Sequence, residues 1–345
     1  METEKKLDTL PKLLRDNFRR YPNRLALREK DRGIWKGYTW KDYYKKVKYF
    51  SLGLTRLGLK RGDKIAILGE NKPEWYYAEL AVQAAGGVAV GIFTDCGASE
   101  VKYYVEHSDA IFVVTYDQEQ VDKLLQIKNE LPLLKKAIYW EIKGLWNYRD
   151  PILLSFNEVL EIGREYEKSY PDLFDHMIDQ GSIDDIAVFC YTSGTTGAPK
   201  GVMLQHKFLI EATRGWAEMD GWIGKGYDYL SFVPGAWIVE QEMGIAGSIL
   251  AALTVNFPEK AETVQENLRE IGPNILFYGA RLWEQVNRTI QAKMMDSTLP
   301  RRILYRLCLP IGLKVADLKL DKKGVGFFLR ILYYFAYHLV FRQLL

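Results

Sequence analysis

Residues 192–201 read Thr-Ser-Gly-Thr-Thr-Gly-Ala-Pro-Lys-Gly, a run of small hydroxyl and glycine residues placed just ahead of Lys200. Glycine lets backbone N–H groups come close to an anion, and neighbouring hydroxyls add donors. Lys200 contributes a compact positive charge on a flexible stem. This is the chemistry of a loop that cradles phosphates. It is not the G-x-x-x-x-G-K-[ST] loop, because Ala198 and Pro199 separate Gly197 from Lys200, and Gly201 follows the lysine. A GTPase-like or kinase-like phosphate site is therefore disfavoured.

Other chemistries find less support. His107, His176, His206 and His338 show no metal-ligand spacing, and no G-x-S-x-G elbow is present. A G-x-G-x-x-G dinucleotide fingerprint is also missing. Cys96, Cys190 and Cys308 are an odd number at wide spacing, which fits neither a disulfide framework nor a zinc knuckle and points to a reducing setting.

The loop needs elements to hold it. It follows an apolar run at 186–191, and similar runs recur at 65–68, 88–92, 111–114, 137–140, 229–233, 253–257 and 275–278. Pro73 and Glu74 open a helical stretch that runs through Ala85 and ends at Gly86 and Gly87. Ser99 reads as the N-cap of a helix through His107. Strands separated by single helices predict an α/β fold with helices packed on mostly parallel sheets. The periodic signal fades in the acidic stretch 166–185, so two sheet-based lobes are expected, at 1–180 and 181–345. In such folds ligands gather where strands end, which is where residues 192–201 lie.

The chain of 345 residues is 48% apolar and 26% charged, the balance of a globular protein and not of a disordered one. Its net charge of +3 is unevenly placed, because the last forty-odd residues carry many Lys and Arg against Asp317 and Asp321 alone. Residues 1–10 lack the apolar centre of a secretory signal. The apolar stretch 331–341 is shorter than the ~18 residues that span a bilayer. The expected location is cytoplasmic. Aromatic residues and arginines mingle at 325–342, which suits either peripheral contact with the cytoplasmic face of a membrane or burial against another polypeptide. Nothing in the tail matches a nucleic-acid-binding motif, and no nucleic-acid partner is expected.

The order of residues at 191–204, Tyr-Thr-Ser-Gly-Thr-Thr-Gly-Ala-Pro-Lys-Gly-Val-Met-Leu, resembles the phosphate-loop signature of the adenylate-forming (AMP-binding) superfamily. Tyr38-Thr-Trp40, Gly62-Asp-Lys-Ile-Ala-Ile67, Asn71 and Pro73-Glu-Trp75 resemble the N-terminal lobe of the same family in the same order. Within it, the likeness is to bacterial long-chain fatty acyl-CoA synthetases. Val233-Pro-Gly-Ala-Trp-Ile-Val-Glu240 resembles their L-P-x-x-H-x-x-E segment, and Arg281-Leu-Trp-Glu284 their R-V-W-E, with Trp237 replacing a histidine and Ala280 a proline.

The resemblance implies a two-step ligation, in which a long-chain fatty acid attacks Mg-ATP to give acyl-AMP and the CoA thiol then displaces AMP. ATP, Mg2+ and CoA are the implied cofactor and co-substrates. It assigns Thr192, Ser193, Gly194, Thr195, Thr196 and Gly197 to the β- and γ-phosphates, Lys200 to charge neutralisation and Thr192 to magnesium. Trp237, Tyr278 and Gly279 are implied as the lining of an acyl or adenine pocket. No Y-G-x-T-E and no later lysine domain occurs in the chain. The expectation is accordingly an incomplete N-terminal domain whose catalytic glutamate and adenylation lysine lie outside this chain; a gene fragment, a frameshifted copy and a split protein with a separately encoded C-terminal half all fit, and only the last takes part in full catalysis. The alternatives are a non-catalytic ATP-binding or membrane-associated fragment, or an adenylating ligase for another carboxylate.

Overall fold

The computed structural model describes residues 7–192, 197 and 199–343. Eleven strands form among them: β1 Leu25–Asp31, β2 Ile34–Thr39, β3 Lys64–Leu68, β4 Val88–Ile92, β5 Ala110–Thr115, β6 Lys136–Tyr139, β7 Leu153–Ser155, β8 Ile186–Thr192, β9 Lys200–Gln205, β10 Asp228–Leu230 and β11 Thr254–Phe257. β3, β4 and β5 are almost unbroken apolar runs and are buried nearly throughout, as strands covered on both faces must be. They form the middle of a seven-stranded sheet of order β7-β6-β5-β3-β4-β8-β9. All its neighbours are parallel except the β8–β9 pair at one edge. The helices Pro73–Ala84, Ala98–His107 and Gln118–Ile127 are the crossovers between its parallel strands.

A second sheet has the order β10-β11-β1-β2. β1 and β2 are antiparallel and joined at Arg32 and Gly33, both at positive φ, the backbone of a tight two-residue hairpin turn. β11 lies parallel to β1 and to β10. The fold is therefore α/β with mostly parallel sheets, as the apolar runs predict.

Three local expectations need correction. Gly97, not Ser99, caps the helix Ala98–His107, because the Glu100 carboxylate accepts its N–H at 2.9 Å and closes the turn one residue pair earlier. The run at 275–278 forms no strand. Its neighbour β10 is three residues long and offers a single bridge, Tyr229 to Ile275. A sheet boundary near residue 180 is not found either, since each sheet takes strands from both sides of that position. The compact units are instead 1–276 and 277–345.

In the first unit the helices Trp40–Arg56 and Phe156–Ser169 meet almost backbone to backbone. Phe50 stacks on Phe156 with ring centroids 3.9 Å apart. Gly53 and Gly163 make the approach possible: a Cβ on Gly163 would sit 1.8 Å from the Tyr49 carbonyl oxygen, and one on Gly53 would sit 2.2 Å from that of Val159. The second unit contains the helices Ala280–Met295, Leu299–Leu320 and Phe327–Leu339. The latter two pack through Cys308, Ala336 and Val340, with Tyr305, Ile311 and Phe341 around them. Among the described residues no helix is long and apolar enough to cross a membrane.

The glycine contact gives a direct test. Gly163→Ala must push two helices apart against backbone that cannot yield, and is expected to cost roughly 3 kcal/mol. The measurement is the urea midpoint, which should fall at unchanged slope; an unaltered midpoint would mean the helices are not in backbone contact.

Candidate functional site

The loop grows out of the one antiparallel pair in the large sheet. Thr192 ends β8 and Lys200 begins β9, and the two are register partners across the ladder, as are Tyr191 and Gly201. Both Thr192 and Lys200 are exposed. Gly197 is exposed at φ 148°, a conformation that side chains disfavour. Ser193, Gly194, Thr195 and Thr196 lie outside the described residues.

Both stems are fixed from the helix Ala98–His107. The Tyr103 hydroxyl donates to the Pro199 carbonyl at 2.8 Å, on the β9 side. On the β8 side His107 Nδ1 is hydrogen-bonded to the Tyr191 hydroxyl at 2.8 Å. Tyr104 meets the Tyr191 ring edge-on at 4.6 Å, and Tyr103 stacks on His107 at 5.2 Å. Burial pushes the Tyr191 phenol up to about 12, so it remains a neutral hydrogen-bonding group around neutral pH.

A cavity of about 330 Å³ opens at the strand ends of the first unit, lined by Glu70, Asn71, Thr94, Asp95, Ser231 and Lys260 among others. Asn71 organises one wall: its Nδ2 donates to Ser231 Oγ (2.9 Å) and to the Val233 carbonyl (2.5 Å), while its Oδ1 accepts from Gly235 N–H (2.8 Å). Beneath that wall Glu240 is fully buried. Its carboxylate accepts from Tyr76 and Tyr229, each at 2.7 Å, and from Ser231. A second buried carboxylate, Glu79, accepts from Trp75 Nε1 (3.1 Å), Gln83 (3.2 Å) and Gln241 (3.0 Å). Gln241 also donates to the Gly235 carbonyl at 2.8 Å, which closes the network. Burial pushes both carboxyls up to about 7 against the hydrogen bonds that pull them down.

The pocket residues implied by resemblance are spread over both units. Trp237 is half-exposed in a turn of the first unit, where its N–H donates to the Pro234 carbonyl at 2.9 Å, and it does not line the cavity. In the second unit Tyr278 packs edge-on against Trp283 at 5.1 Å, and Gly279 caps the helix Ala280–Met295. Among the described residues no cluster of three or more His, Cys, Asp or Glu could hold a metal.

Reading the sequence picks out Asn71 and Glu240 as parts of motifs but leaves Glu79, Tyr76, Tyr229 and Ser231 unnoticed. Glu79 carries a signal of its own, being one acid inside the otherwise apolar Trp75-Tyr-Tyr-Ala-Glu-Leu-Ala81. A charge in such company is rare unless it is partnered. His107 carries no comparable signal, because its partner is 84 residues away in the chain.

The chain matches the family of AMP-binding enzymes over residues 14–316. It belongs to that family. It is 28% identical over 313 residues to the long-chain-fatty-acid–CoA ligase ACSBG2 of Xenopus laevis, covering 89% of this chain and 42% of that protein. The chain thus spans under half the length of this curated relative. Among solved structures, the anthranilate CoA ligase AuaEII in complex with anthranoyl-AMP aligns with a TM-score of 0.66 at 20% identity, over 78% of this chain and 49% of that one. The O-succinylbenzoate CoA synthetase MenE of Bacillus subtilis, in complex with ATP and magnesium ion, aligns with a TM-score of 0.57 at 18% identity, over 76% and 62%. At these identities the two structures speak for the adenylate-forming fold alone.

The buried carboxyls give this family member a pH signature. Glu79 and Glu240 keep their protons to about 7, whereas the unfolded chain releases them near 4.5. The folded state therefore binds more protons between these values, and its stability should fall as pH rises from 4.5 to about 7. Glu79→Gln with Glu240→Gln should flatten that decline in a series of thermal midpoints; an undiminished slope would show that neither carboxyl causes it.

Proposed function

We propose that the chain binds the β- and γ-phosphates of ATP through the 192–197 loop and Lys200. In this reading it serves the activation of a long-chain fatty acid to acyl-AMP and its transfer to CoA. The observation that carries it is the β8–β9 hairpin, which sets Thr192 and Lys200 opposite each other at the two ends of a Gly/Thr loop in a chain of the AMP-binding family. A carboxylate is a poor acyl donor and a mixed anhydride with AMP a good one, so phosphoryl charge must be neutralised as it develops. Lys200 is exposed where it can do this.

Magnesium fits the donor set in one way. The described residues provide no acidic cage, while Thr192, a hydroxyl residue, is exposed at the end of β8. An ion that keeps several waters and binds chiefly to phosphate oxygens would need no more than that from the chain. Bound there, Mg2+ would neutralise phosphate charge.

The acid, CoA and complete reaction belong to the proposal. Peripheral membrane contact through 325–342 completes it. The long-chain acid is favoured because that is the substrate named for the curated relative.

The phosphate step is tested on the chain itself, by calorimetric titration with Mg-ATP and with pyrophosphate. Thr195→Ala combined with Lys200→Ala should weaken binding at least roughly a hundredfold, since hydrogen bonds to charged groups are each worth ~1.5–3 kcal/mol. Unchanged affinity in the double variant would sink the assignment.

A further inference from the structure

The two helices Leu299–Leu320 and Phe327–Leu339 pair through a narrow seam and leave their opposite faces bare. The seam is Cys308, Ala336 and Val340, and Gly312 lets the Phe341 ring lie against the helix backbone, where a Cβ would come within 2.7 Å of it. On the first helix Leu299, Ile303, Leu307 and Leu313 point away from the seam and are each at least half-exposed. On the second helix Phe327 and Phe328 are 72% and 81% exposed, and Ile331, Tyr334 and Phe335 continue the same apolar surface. Exposed apolar surface on this scale marks a site that something else covers.

Charge says what covers it. Arg302, Arg306, Lys314 and Arg330 are exposed among these apolar side chains. Beyond Asp321 the chain contains no acidic residue at all. An anionic surface with an apolar interior satisfies both demands at once: basic groups meet phosphate while aromatic rings enter the acyl boundary. Neither helix can go deeper. The second has 13 residues, roughly 20 Å long against a core of ~30 Å. The first is longer but carries charges along its length, from Arg301 to Lys319.

We infer that this helical pair is an interfacial anchor that lies in the surface of an anionic lipid bilayer, with the outer faces of both helices embedded. The inference deepens the membrane-contact part of the proposal above by assigning the surface and the lipid class, and it is independent of phosphate binding.

The test is co-sedimentation of the full chain with phosphatidylcholine vesicles that contain or lack phosphatidylglycerol. Binding is expected with the anionic vesicles and should fall as salt rises. Phe328→Ser with Phe335→Ser, both outside the seam, should lower partitioning by more than tenfold, since each ring forfeits roughly 1.5–3 kcal/mol of burial. Arg302→Gln, Arg306→Gln and Arg330→Gln should each cost roughly fivefold on anionic vesicles.

Equal partitioning of the double serine variant would overturn the anchor. So would an absence of vesicle binding, and a serine variant that turned an associated species monomeric in sedimentation velocity would then identify the face as a protein contact. Mg-ATP titration of the same samples separates the two proposals. The serine variant should keep nucleotide affinity, and Lys200→Ala should keep vesicle binding.

Discussion

Two sheets in this protein meet around a buried carboxyl group. Glu240 receives Tyr76 from the helix that follows β3 of the large sheet, and Tyr229 and Ser231 from β10 of the small sheet and the turn beyond it. In a low-dielectric interior a polar group left unpaired costs several kcal/mol, so each partner is held to its position. The position of Ser231 then determines that of Asn71, and Asn71 fixes the backbone at Val233 and Gly235. One wall of the cavity is in this sense an extension of the Glu240 site. The π-helical turn Glu240–Ala246 begins at the same residue, and such turns are wider than α-helix and recur beside functional sites.

The β8–β9 hairpin depends on a different device. Parallel strands cannot be joined by a short turn, so a loop with two nearby stems needs an antiparallel pair. β9 provides that pair at the edge of an otherwise parallel sheet, and is itself largely exposed. An exposed edge hairpin would wander without support. Tyr103 and His107 hold its two stems from the neighbouring crossover helix, at Pro199 and Tyr191.

Much of the large sheet is legible in the sequence because its strands are buried on both faces and read as unbroken apolar runs, β3 to β6 and β8 among them. β1, with Arg28-Glu-Lys-Asp31, and β2, with Ile-Trp-Lys-Gly-Tyr-Thr, are half-solvated and present no unbroken apolar run. β7 is three residues long and leaves no periodic signal at all. The family is legible from the order of residues 191–204. The network beneath the cavity is not, because its members come from separate stretches, Asn71 to Glu79 and Tyr229 to Gln241, and only folding makes them neighbours. The same holds for the division of the chain: a fading periodic signal near residue 180 marks a surface segment, while two sheets continue across it.

The pairing of β1 with β11 has a consequence for how the protein is made. Thr254 and Leu25, hydrogen-bonded across that pair, are 229 residues apart. At the usual pace of translation, ~5–20 residues per second, the β1–β2 hairpin leaves the ribosome roughly ten to fifty seconds before its parallel partner exists. Through that interval a half-built sheet offers an open edge to any other nascent chain. What shields one early hairpin while the rest is synthesised then counts toward expression yield beside the stability of the finished protein.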